Sequence, residues 1–300
     1  MRTVSRYVIG IDLGGTKIAA GLIDTERPTE VIQQVRTATP AASQIIPSIA
    51  ELIRPLIDAA PQPPRALGIG APGVIDPARG VVVSAGPTMP GWAGTDIRTD
   101  LSAATGLEVH VANDVRVLGL GESRYGAGAR YQRTLFLSLG TGVGGAFVFH
   151  GALAESPHFT AGELRRIIGR DFEGMAAPIE DFASGTGLAA TYNRAAGRSE
   201  AEELDLRAIM ARYEQDELAQ RVIKRCMLNL GEAIAGLASA IDVDAIILGG
   251  GVGNLGDVVL CPFKRAFRTY SLQPLDTIDI LPAQLGHDAP IIGAAALVPA

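Results

Sequence analysis

Two glycine turns hold residues whose types and spacing suit phosphate chemistry: Asp12-Leu13-Gly14-Gly15-Thr16-Lys17 and Leu139-Gly140-Thr141-Gly142-Val143-Gly144-Gly145. Apolar, strand-like runs flank both, residues 6–11 and 18–23 around the first, 134–139 and 146–149 around the second. A glycine turn between strands brings backbone N–H groups close to a ligand with no Cβ in the way, and such turns form anion-binding concavities. Two of them in one chain predict a nucleotide held by its phosphates from both sides of a cleft. A further polar pair, Asn113-Asp114, ends the strand-like run 108–112 and opens a helical pattern. Carboxyl ends of strands are where α/β folds place their chemistry. A carboxylate there can take the proton of a hydroxyl as its oxygen attacks. The alternative for Asp114 is to cap the helix that follows.

Two other readings of the glycines fail on context. Gly68-x-Gly70-x-x-Gly73 and Gly140-x-Gly142-x-x-Gly145 both match the dinucleotide fingerprint. That fingerprint needs a helix directly after it, and Pro72 and the alternating residues after Gly145 argue against one. A Walker P-loop is absent, since the chain contains no Gly-Lys dipeptide.

The elements that must position these groups follow from the pattern of apolar residues. A strand meander is expected at 7–11, 18–23 and 31–37, then a helix with Ile45, Ile49, Leu52, Ile53, Leu56 and Ile57 on one face. Ser43 is its expected N-cap, and Pro55 should kink or end it. Short buried strands are expected at 66–70, 108–112 and 245–248, the last running into Gly249-Gly250-Gly251-Val252-Gly253. Residues 216–241 read as one long helix, and 287–297 as a closing helix starting near Pro290. The second half thus repeats the order of the first, which implies duplicated α/β domains. The expected division is residues 1–118 with the returning helix 287–300, against 119–286.

Composition bounds the function. A chain of 300 residues, 47% hydrophobic, exceeds what one core normally fills. A net charge of −6 gives no electrostatic reason to expect nucleic acid as a partner. Cys226 and Cys261 are the only cysteines, so no disulfide framework exists and a reduced, intracellular setting is favoured. Neither a signal peptide nor a membrane span is visible, because charged residues interrupt every long apolar run. A soluble, cytoplasmic protein is expected.

Asp12-Leu-Gly-Gly-Thr-Lys17, the Leu139–Gly145 loop and Leu248-Gly-Gly-Gly251 resemble the phosphate and adenosine motifs of the hexokinase–actin ATPase superfamily. Further stretches resemble the ROK family of bacterial sugar kinases, repressors and related proteins. They are Gly68-Ile-Gly-Ala-Pro-Gly73, Pro90-Gly-Trp92, Ala112-Asn-Asp114, Gly119-Leu-Gly-Glu122, Ala161-Gly-Glu163 and Glu180-Asp-Phe-Ala-Ser-Gly185. They keep the family's order and span almost the whole chain. The resemblance implies two ribonuclease-H-like (actin-like ATPase) α/β domains around a cleft, whose closure excludes water from phosphoryl transfer.

It also implies roles. Asp114 is the general base, and Asn113, Glu163 and Glu180 contact a sugar whose pocket floor is shaped by Ala71, Pro72 and Gly73. Trp92 is either packing or a contact. Gly14, Gly15, Thr16, Gly140, Thr141 and Gly142 meet phosphate oxygens of ATP, and Asp12 orients Mg²⁺ through water. Lys17 either neutralises phosphate or is solvated. Gly250, Gly251 and Val252 form the adenosine turn, or else a helix-capping loop. A homodimer is implied.

Two positions depart from the family pattern. Zinc-bearing members carry a His where Arg166 stands here, then a Cys cluster. Residues 167–179 hold no cysteine, so no zinc is expected. Thr88 replaces a family Asn. Because Thr88 and Arg166 line or support the pocket, modified hexoses become as reasonable as glucose. The expected activity is ATP-dependent phosphorylation of a hexose or amino-hexose at its 6-hydroxyl. The alternative is a non-catalytic sugar- or nucleotide-sensing protein or a transcriptional regulator.

Overall fold

The computed structural model describes residues 5–86 and 89–299, so Thr88 lies outside the described residues. The chain divides into two compact units. The first comprises Met1–Ala129, Gly151–Ala161 and Gln284–Ala300, the second Arg130–His150 and Gly162–Ala283.

The first unit contains β1 (Tyr7–Leu13), β2 (Lys17–Asp24), β3 (Val31–Ala38), α1 (Ile45–Ala59), β4 (Ala66–Ala71), β5 (Val74–Asp76), β6 (Val81–Ser84), α2 (Ile97–Thr105), β7 (Glu108–Asn113) and α3 (Asp114–Tyr125). The short β10 (Ala152–Leu153) and the closing α10 (Ala289–Ala295) complete it. Its sheet has the order β3-β2-β1-β4-β7, antiparallel through β3-β2-β1 and parallel through β1-β4-β7. Both faces are covered, so β1 is buried without alternation from Tyr7 to Ile11, ahead of the half-buried Asp12. Ile9, Ile11 and Leu13 pack with Ile45, Ile49, Ile53 and Leu56 of α1, whereas Val8 packs with Ile291 and Ile292 of α10. Glycines let α10 lie directly on the strands. A Cβ on Gly10 would stand 2.0 Å from the Ile291 carbonyl oxygen, and one on Gly68 would stand 1.9 Å from that of Ala294.

Helix α1 departs from expectation at both ends. Ser43 sits in a 3-10 turn and does not cap, and Pro55 lies inside a helix that continues to Ala59. An interior proline costs about 3 kcal/mol. Burial of Ile45, Ile49, Ile53 and Leu56, at roughly 1.5–3 kcal/mol each, outweighs it.

The second unit contains β8 (Arg133–Leu139), β9 (Val143–Phe149), β11 (Ile168–Arg170), β12 (Ala176–Pro178), α4 (Ile179–Ala183), α5 (Gly185–Ala195), α6 (Leu206–Met210), α7 (Glu217–Ile241), β13 (Ala245–Gly249), α8 (Gly250–Gly253), α9 (Asp257–Tyr270) and β14 (Asp279–Pro282). Its strands run β9-β8-β13-β14, with the β8–β9 hairpin antiparallel and β8-β13-β14 parallel. The long helix starts one residue after its expected first position, because Asp216 is its N-cap and accepts the Ala219 N–H at 3.0 Å. The hairpin β11–β12 occupies the cysteine-free segment. Asn229, buried on α7, ties it down by donating to the carbonyls of Arg170 (2.9 Å) and Asp171 (2.7 Å).

The division expected at 118/119 falls inside α3, and all of α3 belongs to the first unit. The cause is glycine packing: a Cβ on Gly121 would lie 2.9 Å from Gly293 Cα, and one on Gly293 would lie 2.0 Å from the Val117 carbonyl oxygen. Among the described residues no helix is long and apolar enough to cross a membrane.

Candidate functional site

In the first unit, three neighbouring parallel strands end together. Asp12 on β1 pairs with Gly70 on β4, and Gly70 pairs with Ala112 on β7. Asp12, the 70–73 turn and Asn113-Asp114 therefore share one sheet edge, the carboxyl end at which such sheets bind ligands. The Gly14–Lys17 turn is closed by Gly14 N–H donating to the Lys17 carbonyl at 2.9 Å, and Thr39 braces it by donating from Oγ1 to the Gly14 carbonyl at 2.6 Å. Gly15, Thr16 and Lys17 are exposed.

Asn113, not Asp114, caps α3. Its Oδ1 accepts from Val115 N–H (3.0 Å) and Arg116 N–H (3.2 Å), while its Nδ2 donates to the Gly73 carbonyl (3.0 Å) and to Asp114 Oδ1 (2.8 Å). Asn113 thereby carries the cap, while Asp114 shares only the Val115 N–H, through Oδ1 at 2.9 Å. Gly73 holds φ +108°, and a Cβ there would stand 2.5 Å from the Ser84 carbonyl oxygen. Trp92 is fully buried, with Nε1–H donating to the Pro72 carbonyl at 3.1 Å, so it packs beneath the turn as a core residue. Gly70 lets the start of α3 approach β4: a Cβ would fall 2.6 Å from a Val117 methyl. The first G-x-G-x-x-G is thus a packing pattern for α10, α3 and the 70–73 turn.

Burial, and then the Asp114 carboxylate, push the Asp12 carboxyl up from 3.8 to about 6, with Lys17 opposing. A raised acid pKa means that the folded state holds the proton more tightly than the unfolded chain. Stability from this group is therefore lost as pH rises from about 4 to about 6, by on the order of 2 kcal/mol after screening. Asp12→Asn is expected to raise the melting temperature of the ligand-free protein at pH 7 and to remove this decline. Thermal denaturation from pH 4 to 8 checks it, and a variant that keeps the wild-type profile refutes the assignment. Two carboxylates in mutual repulsion, with hard oxygen donors, fit a divalent cation such as Mg²⁺.

In the second unit, the Gly140 turn and the Gly249–Gly253 turn leave adjacent parallel strands, since Gly249 pairs with Ser138. Gly250 has φ +81°, and a Cβ on it would stand 2.5 Å from the Leu139 carbonyl oxygen. Gly140 N–H donates to the Gly142 carbonyl at 3.0 Å, Gly185 N–H donates to the Gly140 carbonyl at 2.7 Å, and Thr186 Oγ1 donates to the Thr141 carbonyl at 2.8 Å. These bonds shape one wall of a cavity of about 930 Å³, whose remaining lining includes Leu204, Leu206, Met210, Gly251, Val252 and Leu255. A glycine-backbone wall beside apolar side chains suits a nucleoside with its phosphates. Periodicity missed Leu204, Leu206 and Met210, because Leu204 lies in a loop and the other two bound α6, which is too short to show a repeat. Asn193 pins that segment, bonding both the N–H and the carbonyl of Leu204 at 3.0 Å.

Glu180 sits against the same turn. Its Oε2 accepts Val143 N–H at 2.9 Å, and a Cβ on Gly142 would meet that oxygen at 2.6 Å. Glu163 lies on a different piece, at the start of a 3-10 turn that seats Leu164 against Gly145. Its carboxylate faces Arg165 Nε at 3.4 Å, and Arg166 is exposed beside it. The structure thus joins Asp12, Gly73, Asn113 and Asp114 in one unit, and the Gly140–Gly142 turn, Glu180 and the Gly250–Val252 turn in the other. Among the described residues no group of three or more His, Cys, Asp or Glu side chains has a metal-binding arrangement.

The sequence model of the ROK family matches residues 8–300. A glucokinase of Halalkalibacterium halodurans is 30% identical, over 98% of this chain and 95% of its own. Among solved structures, a ROK hexokinase from Thermus thermophilus superposes with a TM-score of 0.85 at 30% identity, over 97% of each chain. A ROK family glucokinase from Streptomyces griseus, solved in complex with glucose and AMPPNP, superposes with a TM-score of 0.78 at 30% identity, over 97% of this chain and 99% of that one.

Proposed function

The chain belongs to the ROK family, and on that premise we propose that it is an ATP-dependent sugar kinase. It phosphorylates a hexose or amino-hexose at the 6-hydroxyl, with Asp114 as general base. The observation that carries this reading is the division of labour at the start of α3. Asn113 supplies the cap, and its Nδ2 and the Val115 N–H both bond the same Asp114 oxygen, Oδ1, so the carboxylate is held in one orientation at the strand end.

A sugar hydroxyl is a weak nucleophile, and Asp114 takes its proton as the bond to phosphorus forms. Gly73 and Asn113 shape the floor on which the sugar rests, and Glu163 and Glu180 accept from its hydroxyls. In the second unit the Gly140–Gly142 turn holds phosphates by backbone N–H groups, and the Gly250–Val252 turn holds the adenosine. Thr16 and the Gly14–Gly15 backbone bind phosphate from the first unit, with Lys17 adding a positive charge. Mg²⁺ near Asp12, bound largely through water, would supply charge neutralisation on the transferring phosphate.

ADP release, followed with a coupled assay over glucose, mannose, fructose, glucosamine, kanosamine and N-acetylated hexosamines, tests the proposal. At least one sugar should raise turnover tenfold or more over the sugar-free rate. Nucleotide binding without release on any sugar would instead favour a sensing protein. The family resemblance extends the proposal to a cytoplasmic homodimer, the dimer being open to light scattering.

A further inference from the structure

The chain passes between the two units at 129/130, 150/151, 161/162 and 283/284. On the side of the first unit, a side chain of α3 holds each of these crossings. Glu122 is 1% exposed. Its Oε2 accepts the Ala127 N–H at 3.1 Å, and its Oε1 accepts those of Gln284 at 2.9 Å and Leu285 at 2.8 Å. Its own backbone carbonyl accepts from Gly126 (3.1 Å) and Gly128 (2.9 Å). One buried residue therefore collects the segments beside the first and last crossings. Gly126 makes room for this, since a Cβ there would lie 2.1 Å from Oε2.

The two remaining crossings are held by arginines of the same helix. Arg124 Nε donates to the Gly151 carbonyl at 2.6 Å. Arg116, itself buried, donates to the carbonyl of Phe159. Phe159 occupies the left-handed region at φ +61°, rare for a residue with a side chain. Its turn is built rather than loose: Phe159 N–H donates to the Ser156 carbonyl and Ala161 N–H to Ser156 Oγ, both at 2.9 Å. Helix α3 begins at Asp114, and Glu122 follows about 12 Å further along its axis.

We infer that α3 is a positioning hub: Arg116, Glu122 and Arg124 hold all four crossings in a fixed relation to Asp114. Any displacement of the second unit during turnover then reaches the carboxylate through the helix that carries it. This rests on Asp114 being the general base. The choice of a carboxylate at 122 has a specific reason. Its two oxygens serve different crossings, and a glutamine has one acceptor oxygen, so its NH₂ must face an N–H on one side.

The test compares Glu122→Gln and Arg124→Gln with wild type by hydrogen exchange and steady-state kinetics, each in the wild-type and the Asp114→Asn background. Glu122→Gln should speed exchange at 126–128 or 284–285, and Arg124→Gln near 151. Each should lower kcat at least tenfold while ADP affinity stays within twofold. In the Asp114→Asn background the further loss should shrink to twofold or less, because the hub acts through that carboxylate. An equal loss in both backgrounds, or kcat within twofold of wild type despite faster exchange, overturns the inference. If Glu122→Gln does not fold, Arg124→Gln, at a partly exposed position, carries the same comparison. A wild type inactive on every sugar sinks the kinase reading and the coupling with it. An active wild type whose variants both keep full kcat sinks the hub alone.

Discussion

Asp114→Asn is expected to lower kcat for sugar phosphorylation by a factor of about 10² to 10³, in the range measured for general bases. The substitution is nearly isosteric. An amide oxygen can still accept from Val115 N–H and from Asn113 Nδ2, which now bond Oδ1 at 2.9 and 2.8 Å. Helix α3 keeps its cap, because the cap is Asn113. What disappears is the group proposed to accept the hydroxyl proton. Nucleotide affinity should stay within about twofold, since the groups assigned to adenosine and to one side of the phosphates belong to the second unit. Coupled kinetics and calorimetric ADP titration on the same preparation read both quantities, and turnover at the wild-type rate removes Asp114 from the mechanism.

Gly250→Ala should be nearly as damaging, by a different route. The residue holds φ +81°, and its Cβ would meet Leu139 backbone atoms at 2.5, 2.7 and 2.9 Å. None of those atoms is the end of a flexible side chain, and β8 is locked between β9 and β13. The turn itself must move, and with it Gly251 and Val252 at the cavity wall. A loss of about 2–4 kcal/mol in stability is expected, as for other collisions with backbone in a packed core, together with a rise of tenfold or more in the KM for ATP. Gly251→Ala is the matching control, since a Cβ there meets nothing within 4 Å. Its melting temperature should equal that of wild type. If Gly250→Ala melts and binds ADP like wild type, the turn does not form the nucleotide wall.

Much of this site is legible in the sequence because its chemistry sits where local signals are strong. Asp12, Asn113-Asp114 and the glycine turns mark strand ends, and a buried parallel strand announces itself by an unbroken apolar run ended by glycine or polar residues. Single positions resist such reading. Asn113 and Asp114 are both good caps, and only the backbone decides which one takes the role. Pro55 carries a local preference for ending the helix and loses to the burial of Ile45, Ile49, Ile53 and Leu56 on the same helix, which depends on strands elsewhere in the chain. The division at 129/130 and the return of 151–161 to the first unit are invisible to periodicity, because they depend on pairings between residues far apart. Glu122 stands inside a recognisable motif, yet nothing local says that its carboxylate gathers N–H groups from residues 127, 284 and 285. The same holds for Glu180, whose bond to Val143 spans 37 positions.

The seating of α10 on Gly10, Gly68 and Gly121 has a consequence for biosynthesis. Strand β4 ends at Ala71 and the helix that covers one face of β1 and β4 begins at Ala289, so both strands leave the ribosome roughly 200 residues ahead of it. At about 5–20 residues per second, that face waits on the order of ten seconds or longer before its partner exists. The continuous stretch Gly162–Ala283 of the second unit is complete sooner. Translation therefore favours maturation of the second unit first, and α3, against which Gly293 of α10 packs at Val117, gains its final setting only once that helix has been made.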